Sequence, residues 1–276
     1  MSLKKSEAIL LKAFNWSESS RTVVFFSRDY GRIALVDKGG RSFKSKRGRL
    51  LPFARMELTF YDSERETRAY LRDIELIQEF QFESDGNLGR LAYASAACEL
   101  LNALLGEEEA QEDLYEYTCN FLAHIAKQRR GALPALFVTY FLKLCSHLGY
   151  HPSLTTCVVS GRSIDPDDET LGELRLYPER GGIVHPSCQK PVDYYIPVSL
   201  NSFRKLVLLQ RSSLTEAARV TLGFNEASVM LEALVKFLSY QAEIKAELKS
   251  LKFLEKLKNT DLRTEKEDNE REEDKQ

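Results

Sequence analysis

Residues 21–41 read RTVVFFSRDYGRIALVDKGGR, and this stretch decides the fold. It holds two short runs, RTVVFFS (21–27) and RIALVDK (32–38), dense in β-branched and aromatic residues. Such residues suit a pleated, half-buried surface. Asp29-Tyr30-Gly31 between the runs and Gly39-Gly40 after them are turn formers, so the stretch predicts a hairpin. Working outward, EAILLKAF (7–14) precedes it, while RMELTFYD (55–62) and RAYLRDIELIQEF (68–80) follow. In RMELTFYD, Met56, Leu58 and Phe60 alternate with Glu57, Thr59 and Tyr61, which gives one apolar and one polar face. The remaining breaks, Asn15 to Ser20 and Asp62-Ser63, are polar. Five short antiparallel strands within residues 1–82 predict a small closed barrel, the arrangement that leaves no free sheet edge. A five-stranded oligonucleotide-binding (OB) barrel is the best-known form, and an SH3-like barrel fits the same pattern.

The period then becomes helical. Leu88, Leu91, Ala92, Ser95, Cys98 and Leu101 follow a cap offered by Ser84 to Asn87. A second helix is predicted from Glu109 to Gln128, and a third after Gly131 with its stop at Gly149. Residues 153–195 lose the helical period; Gly, Pro, Ser and Asp dominate, with short strands at ELRLYP (173–178) and GGIVH (181–185). Helices return with NSFRKLVLLQRS (201–212) and one long run from Glu226 to Leu257. Residues 261–276 are highly charged with a single apolar residue, Leu262, which predicts a disordered tail. The expected class is therefore α+β and multi-domain: a barrel at 1–82, then a helical domain at 83–260 carrying an insertion.

Net charge over the 276 residues is only −2, so the whole chain selects no partner by charge. The distribution does. The first 60 residues hold 13 Lys or Arg against 5 acids. Lys38, Arg41, Lys44, Lys46, Arg47, Arg49 and Arg55 follow one another with no acid between them. Charges of this density project into solvent and make a local positive field. Phe43 lies among them, and an aromatic ring inside a cationic loop can stack on a base. Cationic loops beside small barrels track phosphates and release counterions. Nucleic acid is the partner this pattern favours; an anionic membrane, an acidic protein, or a merely solvated loop are the other readings.

Cys157-Val-Val-Ser160-Gly161 and His185-Pro-Ser-Cys188 resemble two zinc knuckles with one cysteine missing. Zinc takes four tetrahedral ligands in structural sites. Cys157, His185 and Cys188 remain as candidate ligands, and Ser160 is a poor one. Three readings stand: a relic turn held by packing, a structural zinc with an outside fourth ligand, or a catalytic zinc. The deaminase signature is absent. So are a phosphate loop, H-E-x-x-H and G-x-S-x-G, and the four histidines are scattered. The odd set of five cysteines makes a poor disulfide framework, and Cys98, Cys119 and Cys145 fall at apolar helical positions. The opening MSLKKSEAILLKAFNW has no signal-peptide core, and no run of about 18 apolar residues is present. A cytoplasmic protein without membrane partners is expected.

The order of these pieces is similar to the bacterial RecO family of recombination mediators, over roughly residues 6–255. The strand–turn–strand opening EAILLKAFNWSESSRTVVFFSRDYGRIALVDKGGR carries the resemblance, as does KSKRGRLLPFARMELTFY with its basic loop and "L-x-P-F". Leu148-Gly149-Tyr150-His151-Pro152 before Cys157, Gly181-Gly182 before His185 and Cys188, and Glu247-Leu248-Lys249-Ser250 continue it. The resemblance implies an OB-type barrel and a helical domain with a zinc-finger-like insertion. It implies a non-enzymatic protein of recombinational repair, nucleoid-associated, that binds single- and double-stranded DNA and anneals complementary strands. Implied partners are RecR and the acidic C-terminal tail of SSB, with RecF and RecA engaged indirectly. By position, Arg32, Lys38, Arg41, Lys44, Lys46, Arg47 and Arg49 take the family's DNA-contacting role. Ser160 and His185 replace two expected cysteines, so zinc is not carried over and no cofactor is assigned. The alternative is an interaction scaffold that touches DNA weakly.

Overall fold

The computed structural model describes residues 2–40, 50–62, 69–82, 87–107, 109–190, 194–244, 247–253 and 255–256. Arg41, Phe43, Lys44, Lys46, Arg47 and Arg49, the expected helix cap and the charged tail fall mostly or wholly outside these residues.

Strands β1 (Ser2–Asn15), β2 (Arg21–Ser27), β3 (Gly31–Asp37), β4 (Ala54–Asp62) and β5 (Ala69–Glu79) form a closed barrel. The order round the barrel is β1-β2-β3-β5-β4. Alternation decides which side chains enter: Val23, Phe25, Ile33, Leu35, Met56 and Leu58 fill the interior. Four joins are antiparallel, but β3 and β5 run parallel, paired at Leu35↔Ala69 and Val36↔Tyr70. This corrects the all-antiparallel expectation, and the reason is parity. A closed ring of five strands cannot reverse direction at every join, so one join must be parallel. The order resolves the two barrel forms in favour of the OB type.

Helices α1 (Asn87–Leu104), α2 (Glu112–Lys127) and α3 (Leu133–His147) follow. Helix α3 is buried on nearly every side, as a helix apolar all round must be. It packs against α1, α2 and the three later helices, α4 (Leu200–Arg211), α5 (Leu214–Ala217) and α6 (Phe224–Gln241). Gly149 stops α3 as expected: its φ is 82°, and the Tyr150 N–H donates to the Cys145 carbonyl at 2.8 Å. That left-handed closure is glycine's usual role at a helix end. Ser213 and Glu216 form a capping box on α5.

The insertion carries β6 (Leu174–Tyr177), β7 (Gly182–Val184) and β8 (Ile196–Val198), in the order β7-β6-β8. The third strand was not expected. The single helix predicted over 226–257 is also corrected. Helix α6 ends at Gln241, Glu243 takes φ 53°, and the Ile244 N–H donates to the Ser239 carbonyl at 3.1 Å. Residues 249–253 are helical again. No helix among the described residues is long and apolar enough to cross a membrane.

Candidate nucleic-acid interface

The barrel and the helices share one apolar cluster. Ile9, Phe26 and Phe80 leave the outside of the barrel and join the core that contains Tyr115, Leu122 and Phe137. Phe26 meets Tyr115 edge to face, with ring centroids 5.5 Å apart. Gly31 brings β3 close to the helical side. It has φ 63°, and a Cβ there would lie 2.1 Å from the Glu109 carbonyl oxygen, so glycine is required.

Three arginines rim this seam. Arg28 pairs with Glu112 and lies 3.7 Å from Glu116. Arg32 donates to Glu107 at 3.0 Å and to Asn102 at 3.4 Å. Arg55 donates to both Glu116 oxygens, at 3.0 and 3.3 Å, and pairs with Glu7. Arg32 and Arg55, read from sequence as members of the basic field, are thus engaged with acids of the helical side.

Lys38 is exposed, and its ammonium sits 4.3 Å from the centre of the Tyr70 ring. Three residues further, the chain enters 41–49 with its five cations. The same side of the barrel carries features that the sequence reading passed over. Lys12 sits 4.3 Å from the centre of the Phe14 ring. Trp16 and Phe14 are 55% and 46% exposed. An open groove of about 810 Å³ runs past Trp16, Thr22, Ala34 and Val36 to Arg32 and Glu107. Trp16 lies within the polar stretch Asn15 to Ser20 that reads as a turn; a large aromatic residue in such a turn is the available signal.

In the insertion, the Cys157 sulfur accepts from the His185 backbone N–H at 3.3 Å. Burial opposes ionisation of this thiol. The Ser160 hydroxyl and the N–H groups of His185, Ser160 and Val159 outweigh it and lower the thiol to about 7. The His185 ring is turned to Ser187, Nδ1 to Oγ 2.8 Å, and Cys188 lies 3.7 Å from the same hydroxyl.

Known proteins resemble this chain over most of its length. A family model described as "Recombination protein O N terminal" matches residues 1–80, and one described as "Recombination protein O C terminal" matches residues 86–252. The chain belongs to the RecO family of DNA repair proteins. A RecO relative from Symbiobacterium thermophilum, named "DNA repair protein RecO", is 29% identical over 94% of this chain and 99% of its own length. Another of the same name, from Syntrophus aciditrophicus, is 26% identical over 94% and 97%. A third, from Caldanaerobacter subterraneus subsp. tengcongensis, reaches 32% over 59% and 64%.

The zinc-finger arrangement that the RecO resemblance implies can be tested against these side chains. The Ser160 hydroxyl favours the ionised form of Cys157, and His185 Nδ1 lies 2.8 Å from the Ser187 hydroxyl. Among the described residues, no three His, Cys, Asp or Glu side chains gather as a metal-holding group. With Ser160 in a cysteine's place, Cys157, His185 and Cys188 offer three zinc-ligating side chains where a structural site takes four. The insertion carries the β7-β6-β8 sheet and an N–H from His185 on the Cys157 sulfur.

Proposed function

We propose that the protein binds and anneals single-stranded DNA through its barrel, without catalytic turnover, and acts with RecR and SSB to help load RecA. The observation that carries this reading is the junction at Lys38. A closed OB-type barrel, fixed to the helices by Arg28, Arg32 and Arg55, delivers the chain at an exposed lysine into 41–49. That segment holds Arg41, Lys44, Lys46, Arg47 and Arg49 and no acid. Lys38 and these five cations track backbone phosphates, and Arg32, paired with Glu107, ties β3 to the helical side. Annealing follows from charge. A cationic surface holding two strands lowers their repulsion and raises their local concentration, and neither effect needs a catalytic residue.

The helical side supports a protein partner. A groove of about 630 Å³ between α6 and residues 247–255 is lined by Tyr93, Leu231, Val235, Leu248 and Leu251. Lys236 and Lys252 stand at its rim, beside Glu232 and Glu247. Glu255 adds a third acid to two lysines that are already paired, so the groove suits the apolar residues of a short partner segment such as the SSB tail rather than its acids, and it is also what favours the scaffold reading.

The test is annealing of complementary oligonucleotides by wild type and a Lys44→Glu, Lys46→Glu, Arg47→Glu variant. Loss of annealing in a folded variant supports the barrel segment as the DNA site. Full annealing at moderate salt overturns it, and weak, salt-insensitive binding by both proteins favours the scaffold.

A further inference from the structure

We infer that the outer face of β1, β2 and β3 takes the unpaired bases of a single strand, with Trp16 as the stacking residue. This rests on the DNA-binding reading and adds to it a base-contacting surface distinct from the cationic segment.

The face is set by strand register. Phe14 pairs with Thr22, Thr22 with Val36, and Val36 with Tyr70. Residues opposite one another across strands point to the same side of a sheet, so these four form one row. Lys12 and Lys38 stand two residues from Phe14 and Val36 and share that side. Both lysines lie over aromatic rings of the row, at 4.3 Å from Phe14 and from Tyr70. Trp16 lines the groove together with Thr22 and Val36. It makes no ring contact among the described residues and is 55% exposed.

A single exposed aromatic side chain is ordinary. Two of them, Phe14 and Trp16, on one barrel face, with Lys12 over Phe14 and Lys38 over Tyr70 of the same row, are a different case. The charge of the groove is also favourable. Among the described residues its acids, Asp62 and Glu107, are each matched by a cation, Lys4 and Arg32, so a phosphate chain meets no uncompensated acid along that part of the wall. Aromatic faces accept any base, and only unpaired bases can leave their own stack to reach them. The ligand is accordingly single-stranded nucleic acid of no fixed sequence, with phosphates toward the lysines and bases toward Trp16 and Phe14.

The chain has one tryptophan, so indole emission reports Trp16 alone. Full-length protein would be titrated with fluorescein-labelled oligo-dT for anisotropy, and with unlabelled oligo-dT and blunt duplex for indole emission. The expected result is quenching of Trp16 by oligo-dT that tracks the anisotropy curve, with little quenching by saturating duplex. Trp16→Ala is expected to weaken oligo-dT binding about tenfold, with an unchanged salt slope, and Trp16→Phe to recover most of it. Oligo-dT binding with unchanged Trp16 emission overturns the inference, as does equal quenching by duplex; the DNA-binding reading survives both. Absence of any anisotropy rise overturns both readings. The emission result on wild type stands even if the alanine variant folds poorly.

Discussion

The Arg55 guanidinium on β4 grips the Glu116 carboxylate on α2 at two points, 3.0 and 3.3 Å, while also serving Glu7 on β1. One side chain, 20% exposed, ties two barrel strands to a helix 61 residues away. Arg55→Ala leaves two carboxylates facing each other across the seam. The expected loss is about 1–2 kcal/mol, between the value of an exposed pair and that of a buried one. Urea unfolding checks it through a lower midpoint at unchanged slope. An unchanged midpoint would show that the apolar contact of Phe26 and Tyr115 holds the seam unaided.

Arg32 is spoken for by Glu107 and Asn102. Arg32→Gln is expected to lower the unfolding midpoint and to leave the salt slope of single-strand binding as it is. A slope shallower by about 0.7 with full stability would instead place Arg32 on a phosphate.

The thiols should separate by burial. Burial pushes Cys98 up to about 12, Cys119 up to about 11 and Cys145 up to about 12. Cys188 is half-buried. Thiol titration of the native protein at mildly alkaline pH should give one fast phase, abolished by Cys188→Ser, with all five thiols reacting in denaturant. Cys157 is ionised more readily but only 1% exposed, so it should lag behind Cys188. Rapid reaction of Cys98 or Cys145 would contradict the buried helical core.

Purified protein should carry less than one zinc per chain, and chelator should leave its thermal midpoint unmoved. Stoichiometric metal with a large chelator-induced drop, as in domains whose folding depends on zinc, would mean that His185 swings away from Ser187 to ligate.

The strands were readable because each signal was local. Alternation at Met56, Leu58 and Phe60, and turns at Gly31 and Gly39, need only a few neighbouring residues. The parallel join was missed because direction is a property of the ring. Strand β8 escaped because it has three residues, and Pro197 at its centre reads against a strand; Pro is tolerated there because β8 pairs on one side only. The break after α6 escaped because Glu243, neither Gly nor Pro, holds the left-handed position. The cationic segment was legible as charge density. The engagement of Arg32 and Arg55 was not, since their partners lie 75 and 61 residues along the chain.

Among the described residues, the parallel join of β3 and β5 rests on two residue pairs, Leu35↔Ala69 and Val36↔Tyr70. Should that clasp part, two strands would present bare backbone donors and acceptors to any neighbouring molecule. Resistance to aggregation thus hangs on the shortest join among the described residues of the barrel. Changes at Ala69 or Tyr70 should reveal themselves in the cell first as insoluble protein, before any loss of repair.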